Sequence, residues 1–355
     1  MSPSIDLNQA VIAVQESLNN FFSQSVSRSQ LIDADYGRLW QNLQELSESG
    51  GKRLRPRMTI MSYAAFGGQD LDAIIPTASA QELLHFSLLI HDDIIDRDDI
   101  RYGVANITGR YLDIYRPTVE DEAELRHYSQ SAAILGGDVI ISSAYQMILN
   151  SPAADNLKIK AMRLLGDGIF DVCGGELLDT EAAFKAFSET NSLTIARYKT
   201  ASYSFVAPLL TGAVMANASQ DQLDLLQAYA ENLGVAYQLT DDLIGSFGDE
   251  SVTGKSSLGD IREAKHTFLA EQHLKTLDES QQEQFWQVFG NSNASHQEID
   301  NLKQAMVDSG AREATQRYID RLALEAQTAL DRLGLNEESH SHFSDLITKA
   351  TRRQF

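Results

Sequence analysis

Asp92 and Asp96 stand four residues apart in His91-Asp92-Asp93-Ile94-Ile95-Asp96, at the end of a run that is largely apolar from Leu83 onward. Carboxylates oppose burial in such a run unless a cation neutralises them. On a helix, residues i and i+4 share one face with Cβ atoms roughly 5–6 Å apart. Asp92 and Asp96 can therefore hold one hard cation, while Asp93 is turned away by about 100°. Mg²⁺ suits this pair, because it takes one or two carboxylates and completes its octahedron with waters and phosphate oxygens. A second acidic helix end follows in Gln238-Leu239-Thr240-Asp241-Asp242-Leu243-Ile244, with Gly245 in the place that would match Asp96. Two such ends facing one another across a bundle would form a pocket for several divalent ions and a polyphosphate ligand.

Cations cluster against this acidic background. Gly50-Gly51-Lys52-Arg53-Leu54-Arg55-Pro56-Arg57 sets Lys52, Arg53, Arg55 and Arg57 behind two glycines that let a ligand approach the backbone. Arg101, Lys199 beside Thr200, Lys255 and Lys265 lie near the aspartates in sequence. Together they describe two anion seats, one built by Mg²⁺ on carboxylates and one built by Lys and Arg, above apolar helices. A diphosphate ester with a hydrocarbon tail fits that description. The tail would follow the helix that carries Asp92, past Leu88 and then Leu84 and His85.

The elements that must position these groups are helices. The chain has 355 residues with 6 prolines, none of them after Pro208, a pattern long helices permit. Apolar residues recur at helical spacing in Val11–Phe22, Ile75–Ile95, Ser131–Leu149, Leu157–Leu178, Leu193–Met215 and Leu223–Leu243. Ser219 with Gln222 and Ser295 with Glu298 are capping-box start signals. No linker or repeat marks a boundary, so residues 1–355 read as one domain. The net charge of −21 disfavours nucleic acid and anionic membrane as partners. Cys173 is the single cysteine, which rules out an intrachain disulfide, and no signal-like segment opens the chain. A reducing, cytoplasmic location is the expectation. No uninterrupted apolar run reaches about 18 residues, so no membrane-spanning segment is expected.

With these residues in hand, the stretch from Gly50 to Thr267 resembles the trans-type isoprenyl diphosphate synthases. The resemblance rests on Gly50-Gly51-Lys52-Arg53-Leu54-Arg55-Pro56, on His85, on the first aspartate-rich motif from Asp92 to Asp96, and on Arg101. Gly137-Asp138, Lys199-Thr200, Gln238, the second aspartate-rich motif with Asp241 and Asp242, Gly254-Lys255, Asp260 and Lys265 complete it in the same order. It implies an all-α bundle around a deep central cavity, usually homodimeric, joining isopentenyl diphosphate to an allylic diphosphate with loss of pyrophosphate. By that resemblance Asp92, Asp96 and Asp241, with Asp93 and Asp242 in the same motifs, bind three Mg²⁺. Arg101, Lys199, Lys255 and Lys265 would hold the allylic diphosphate, with Thr200 and Gln238 at the reaction centre. Lys52, Arg55 and His85 would seat isopentenyl diphosphate, joined by Arg53 and Tyr102.

The chain departs from the family pattern at Tyr102, which replaces a second arginine after Arg101, and at Gly245, Glu176 and Ala264, where Asp, Gln and Gly are common. A phenol cannot form the charged fork of arginine. The expectation is a weaker hold on isopentenyl diphosphate, or compensation from Arg53 or Arg57. In this family, bulky aromatic residues four or five positions before the first aspartate stop the growing tail at farnesyl length. Leu88 and Ser87 occupy those positions, so with Leu84 they leave a pocket for geranylgeranyl diphosphate or a longer product. Two other readings compete: a class I terpene cyclase, which needs no second anion seat, and a non-catalytic synthase-like subunit. The segment from about Ser280 onward reads as amphipathic helices closing the bundle.

Overall fold

The computed structural model describes residues 5–248 and 259–352, and helix dominates them as the apolar spacing predicts. Among the described residues, strand is confined to a hairpin of Ile100–Arg101 (β1) and Val104–Ala105 (β2), paired antiparallel. Tyr102 and Gly103 turn between them at φ 55° and 77°, the pair of left-handed residues that a tight type I′ turn requires. Strands of two residues leave no alternating pattern, so the sequence does not announce them.

The chain divides into two compact units, Met1–Leu165 with Thr211–Asn217, and Gly166–Leu210 with Ala218–Phe355. The first contains α1 (Leu7–Gln30), α2 (Ala34–Glu48), α3 (Leu54–Ala65), α4 (Leu71–Ile95), α5 (Ile107–Tyr115) and α6 (Glu122–Leu149). The side chains of Asp6, Asp33, Asp70, Asn106 and Asp121 accept from backbone N–H groups at the starts of α1, α2, α4, α5 and α6. Each satisfies donors that the first helical turn leaves unbonded. The most extensive packing in this unit joins α4 to α6. Phe22, Leu43, Leu46, Met58, Ile60, Leu83, Leu84 and Ile90 are fully buried in its core.

The apolar stretch Leu193–Met215, which belongs to the second unit as far as Leu210, is not one regular helix. It comprises α8 (Ser192–Ile195), a π-helix over Ala196–Val206, and α9 (Ala207–Met215). The wider turns fit because α7 (Asp155–Ala182) offers Gly175 at the closest approach: a Cβ there would lie 2.1 Å from the Lys199 nitrogen. Then come α10 (Gln220–Phe247), α11 (Gly259–Arg262), α12 (Phe268–Leu274), α13 (Glu279–Val288), α14 (His296–Asp308), α15 (Ala311–Arg332) and α16 (Glu337–Thr351). The capping boxes at Ser219 and Ser295 form as their spacing predicts. α10 packs along α15 and along the π-helix. From Ser280 to Arg352 the chain is mainly helical, and Phe285, Ile299, Leu302, Met306, Ile319 and Leu322 join the buried cluster around Leu239 and Leu243.

Among the described residues two helices, α4 and α6, are long and apolar enough to cross a membrane by length and composition alone. A search for uninterrupted apolar runs passes over both, because isolated polar residues such as His85 and Ser87 break the run without lowering the average far. In α4, 67% of the apolar window is buried within the fold, and in α6 44%.

Candidate active site

α4 is buried on most of its circumference, and what it leaves open is a chemical stripe. His85, Leu88 and Asp92 are partly exposed and Asp96 is exposed, whereas Leu84, Ser87 and Asp93 are buried. The Asp96 N–H donates to the Asp92 carbonyl at 2.8 Å. The helical turn therefore persists through Asp96, and the two carboxylates share the open face as their spacing predicts. No basic residue occupies the last turn of α4 or α10, and the unbonded carbonyls of a helix end add partial negative charge. Among the described residues no three His, Cys, Asp or Glu side chains gather into a ready-made metal cage. Two carboxylates on an open helix end are instead the donor set that Mg²⁺ shares with waters and phosphate oxygens.

Asp93 faces the other way, as its position in the helical turn requires. Its side chain is 2% exposed, and its Oδ1 accepts from Arg101 Nε at 2.6 Å and also from Nη2 of the same guanidinium. Arg101 Nη2 reaches Asp92 Oδ2 at 3.4 Å. Burial pushes the Asp93 carboxyl up to about 6, although Arg101 pulls in the opposite direction. Burial in turn opposes the charge on Arg101, yet the hydrogen bond and charge of Asp93 hold its guanidinium above the ordinary value. Arg101 thus ties the hairpin to the end of α4.

The basic loop lies in the same unit. Lys52 is exposed and Arg55 partly buried. Burial drives the His85 imidazole well below its usual range, and the charges of Arg55, Arg101 and Arg53 push the same way. His85 is therefore a neutral hydrogen-bonding group in a cationic setting. Tyr102 is half-exposed, with its phenol pushed up by burial and close enough to Arg101, Glu82, Arg55 and Arg53 to feel their charges. Arg53 Nη1 donates to Glu82 Oε1 at 2.8 Å, and Arg57 Nη1 donates to Asn8 Oδ1 at 3.0 Å. Both cations expected to compensate for Tyr102 are hydrogen-bonded to protein oxygens.

In the second unit, Lys199 Nζ sits between Asp179 Oδ2 at 2.6 Å and Glu176 Oε2 at 3.0 Å. Thr200 Oγ1 donates to Gln238 Oε1 at 2.5 Å, and Gln238 Nε2 donates to Asp242 Oδ1 at 2.7 Å. A hydroxyl, an amide and a carboxylate thus form one directed chain from the π-helix to the acidic end of α10, where Asp241 is also partly buried. Lys265 lies 3.1 Å from Glu263. Lys255 and Gly254 lie outside the described residues. Sequence reasoning singled out neither Glu82 nor Asp179. Glu82 carried a signal, because an acid within a buried apolar helix implies a cationic partner; Asp179, on the exposed and charge-rich α7, carried none.

The model of the family described as polyprenyl synthetase matches residues 37–306. The short chain isoprenyl diphosphate synthase of Methanocaldococcus jannaschii is 33% identical over 271 residues, covering 76% of each chain. The geranylgeranyl diphosphate synthase of Sulfolobus acidocaldarius is 32% identical, covering 79% of this chain and 82% of that one. Among solved structures, geranylgeranyl pyrophosphate synthase of Corynebacterium glutamicum, complexed with isoprenyl diphosphate and magnesium, superposes with a TM-score of 0.89 at 27% identity, over 99% of this chain and 100% of that one.

Proposed function

Since the chain belongs to the polyprenyl synthetase family and is a trans-prenyltransferase, we propose that Asp92, Asp96 and Asp241 hold Mg²⁺ against an allylic diphosphate that isopentenyl diphosphate then extends. The reaction is head-to-tail chain elongation, giving a product of geranylgeranyl length or longer. The observation that carries the site assignment is the open stripe of α4, where Asp92 and Asp96 lie on one accessible face with Arg101 attached to it.

Mg²⁺, when bound, neutralises the charge that gathers on the departing pyrophosphate. The chain's own groups do the rest. Arg101, Lys199, Lys255 and Lys265 bind the allylic diphosphate, and Thr200 and Gln238 line the reaction centre while orienting Asp242. Lys52 and Arg55 seat the second diphosphate, with neutral His85 beside it. Tyr102 completes that seat with one charge fewer than an arginine would bring, and Arg53 stands behind it, bonded to Glu82. Preorganised cations stabilise developing negative charge without reorganising, and seating both substrates removes the entropic cost of their encounter. Leu88 on the open stripe, backed by Leu84 and Ser87, presents no aromatic ring to stop the tail, and apolar walls deny water to the allylic cation.

Residues 1–355 act as one synthase, cytoplasmic and without stable membrane insertion, using three Mg²⁺. The enzyme is a homodimer, for which exposed apolar side chains give support: Ile134 and Leu135 on α6, and Phe170 and Leu177 on α7. The test is pyrophosphate release by purified protein with Mg²⁺. Release only when both substrates are supplied is expected, and EDTA should abolish it. Release from the allylic substrate alone would instead indicate a cyclase, and no release under any condition a silent subunit. A product that stops at farnesyl diphosphate under excess isopentenyl diphosphate would remove the length assignment.

A further inference from the structure

Arg53 points inward. It begins α3 with φ 48°, a left-handed conformation that a side chain rarely adopts. Its guanidinium donates to Gln15 Oε1 at 2.9 Å through Nε, to Glu82 Oε1 at 2.8 Å and the Gly50 carbonyl at 3.3 Å through Nη1, and to the Ser47 carbonyl at 2.8 Å through Nη2. These bonds occupy four of the five N–H groups that a guanidinium offers. The pair is largely withdrawn from solvent, with side-chain exposures of 14% for Arg53 and 7% for Glu82. Gly51, at φ 109°, is where the guanidinium crosses the backbone: a Cβ there would lie 2.8 Å from Arg53 Nη1. The ring of Tyr102 lies across Gly50 at similar range. Glu82 and His85 are one turn apart on α4 and line the same small cavity, of about 20 Å³, with Arg53 and Tyr102.

We propose that Arg53 and Glu82 are positioning residues for the isopentenyl diphosphate seat: the buried pair locks the Gly50-Gly51-Lys52 turn so that Lys52 and Arg55 face the substrate, and neither residue touches it. The proposal rests on the functional reading given above. Lys52 and Arg55 flank Arg53 in the chain, so fixing the left-handed backbone of Arg53 fixes the directions in which both leave it. The acidic partner comes from the helix that carries His85, which keeps all three seat residues in one frame. Pairing Arg53 with Glu82 also leaves the local positive charge concentrated on Lys52 and Arg55.

The experiment is steady-state kinetics on the full chain for Glu82→Gln, Arg53→Gln and the double variant, with both substrates varied and folding followed by circular dichroism. Each single change should raise KM for isopentenyl diphosphate roughly tenfold, as misplaced binding groups do, while KM for the allylic substrate stays within about twofold. The double variant should be no worse than the poorer single, because both remove one device. Arg53→Lys keeps the charge but cannot span four acceptors, so it should not rescue KM. It also serves as the milder variant if the glutamine changes prevent folding. A Glu82→Gln enzyme with wild-type KM beside an impaired Arg53→Gln enzyme would overturn the proposal, since Arg53 would then bind substrate itself. Additive losses, rescue by Arg53→Lys, or an equal rise in both Michaelis constants would overturn it too. Wild-type protein that transfers no prenyl group would refute the functional reading instead.

Discussion

Arg101 Nε donates to Asp93 Oδ1 at 2.6 Å, and this contact divides the first aspartate-rich motif between two tasks. Asp92 and Asp96 stay on the accessible face of α4, while Asp93 goes inward and anchors the hairpin. Removing one partner of a buried pair typically costs about 3–5 kcal/mol, because the other charge is left uncompensated. Asp93→Ala should therefore lower stability by about 3 kcal/mol in urea unfolding at neutral pH. Asp92→Ala and Asp96→Ala should unfold close to wild type yet lose metal-dependent turnover. An Asp93→Ala protein with an unchanged midpoint would contradict the division.

The chain from Thr200 through Gln238 to Asp242 orients a carboxylate from behind. Partners of this kind are commonly worth ten- to a hundredfold in metal affinity or activity. Gln238→Leu should raise the Mg²⁺ concentration for half-maximal rate by roughly tenfold, and Thr200→Val should do so less, because it leaves the Gln238 to Asp242 bond in place. Magnesium titration of the initial rate reads both.

The helices and the placement of Asp92, Asp96 and Asp93 were legible because each follows from spacing alone. Four residues bring two side chains to one face, and one residue turns a side chain away. The starts at Ser219 and Ser295 were legible for the same local reason. The π-helix was not, because its register depends on how closely Gly175 lets a neighbouring helix approach Lys199, which no local pattern encodes. Nor was the partner of Arg53: four cations in a loop look alike in sequence, and only the fold shows which one meets Glu82.

Buried histidines contribute a loss of stability in acid. His273 is buried, its Nδ1 lies 2.8 Å from Ser309 Oγ, and burial holds it below the ordinary value of 6.5. Burial lowers His266 likewise, against the opposing charge of Asp179. A depressed imidazole accepts its proton in the unfolded chain before it does so in the folded one. Stability should hold above the unfolded value of 6.5 and fall as pH drops below it. His273→Gln should flatten that decline between about pH 7 and about pH 5, as chemical denaturation across the range would reveal. A decline as steep as wild type would exclude His273 as a source.

Ala264 sits at φ 55°, a conformation that costs a side-chain-bearing residue roughly 1–2 kcal/mol. Glycine avoids that strain and loses roughly 0.5–1 kcal/mol more through chain entropy. Ala264→Gly should therefore gain about 0.5 kcal/mol, visible as a higher melting temperature. A lower one would show that the alanine methyl group packs better than its backbone suffers.

The eleven residues of Ala196–Val206 wind more loosely than their neighbours, so that stretch stores surplus chain. A polypeptide shortened there by a single residue could tighten into ordinary α geometry without tearing the rod, but everything on one side of the deletion would swivel by about 100°. Either the ammonium of Lys199 would leave its two acids, or the far end would offer its oily flank to water. Loss of one residue from this stretch would thus spare the helix and forfeit its aim.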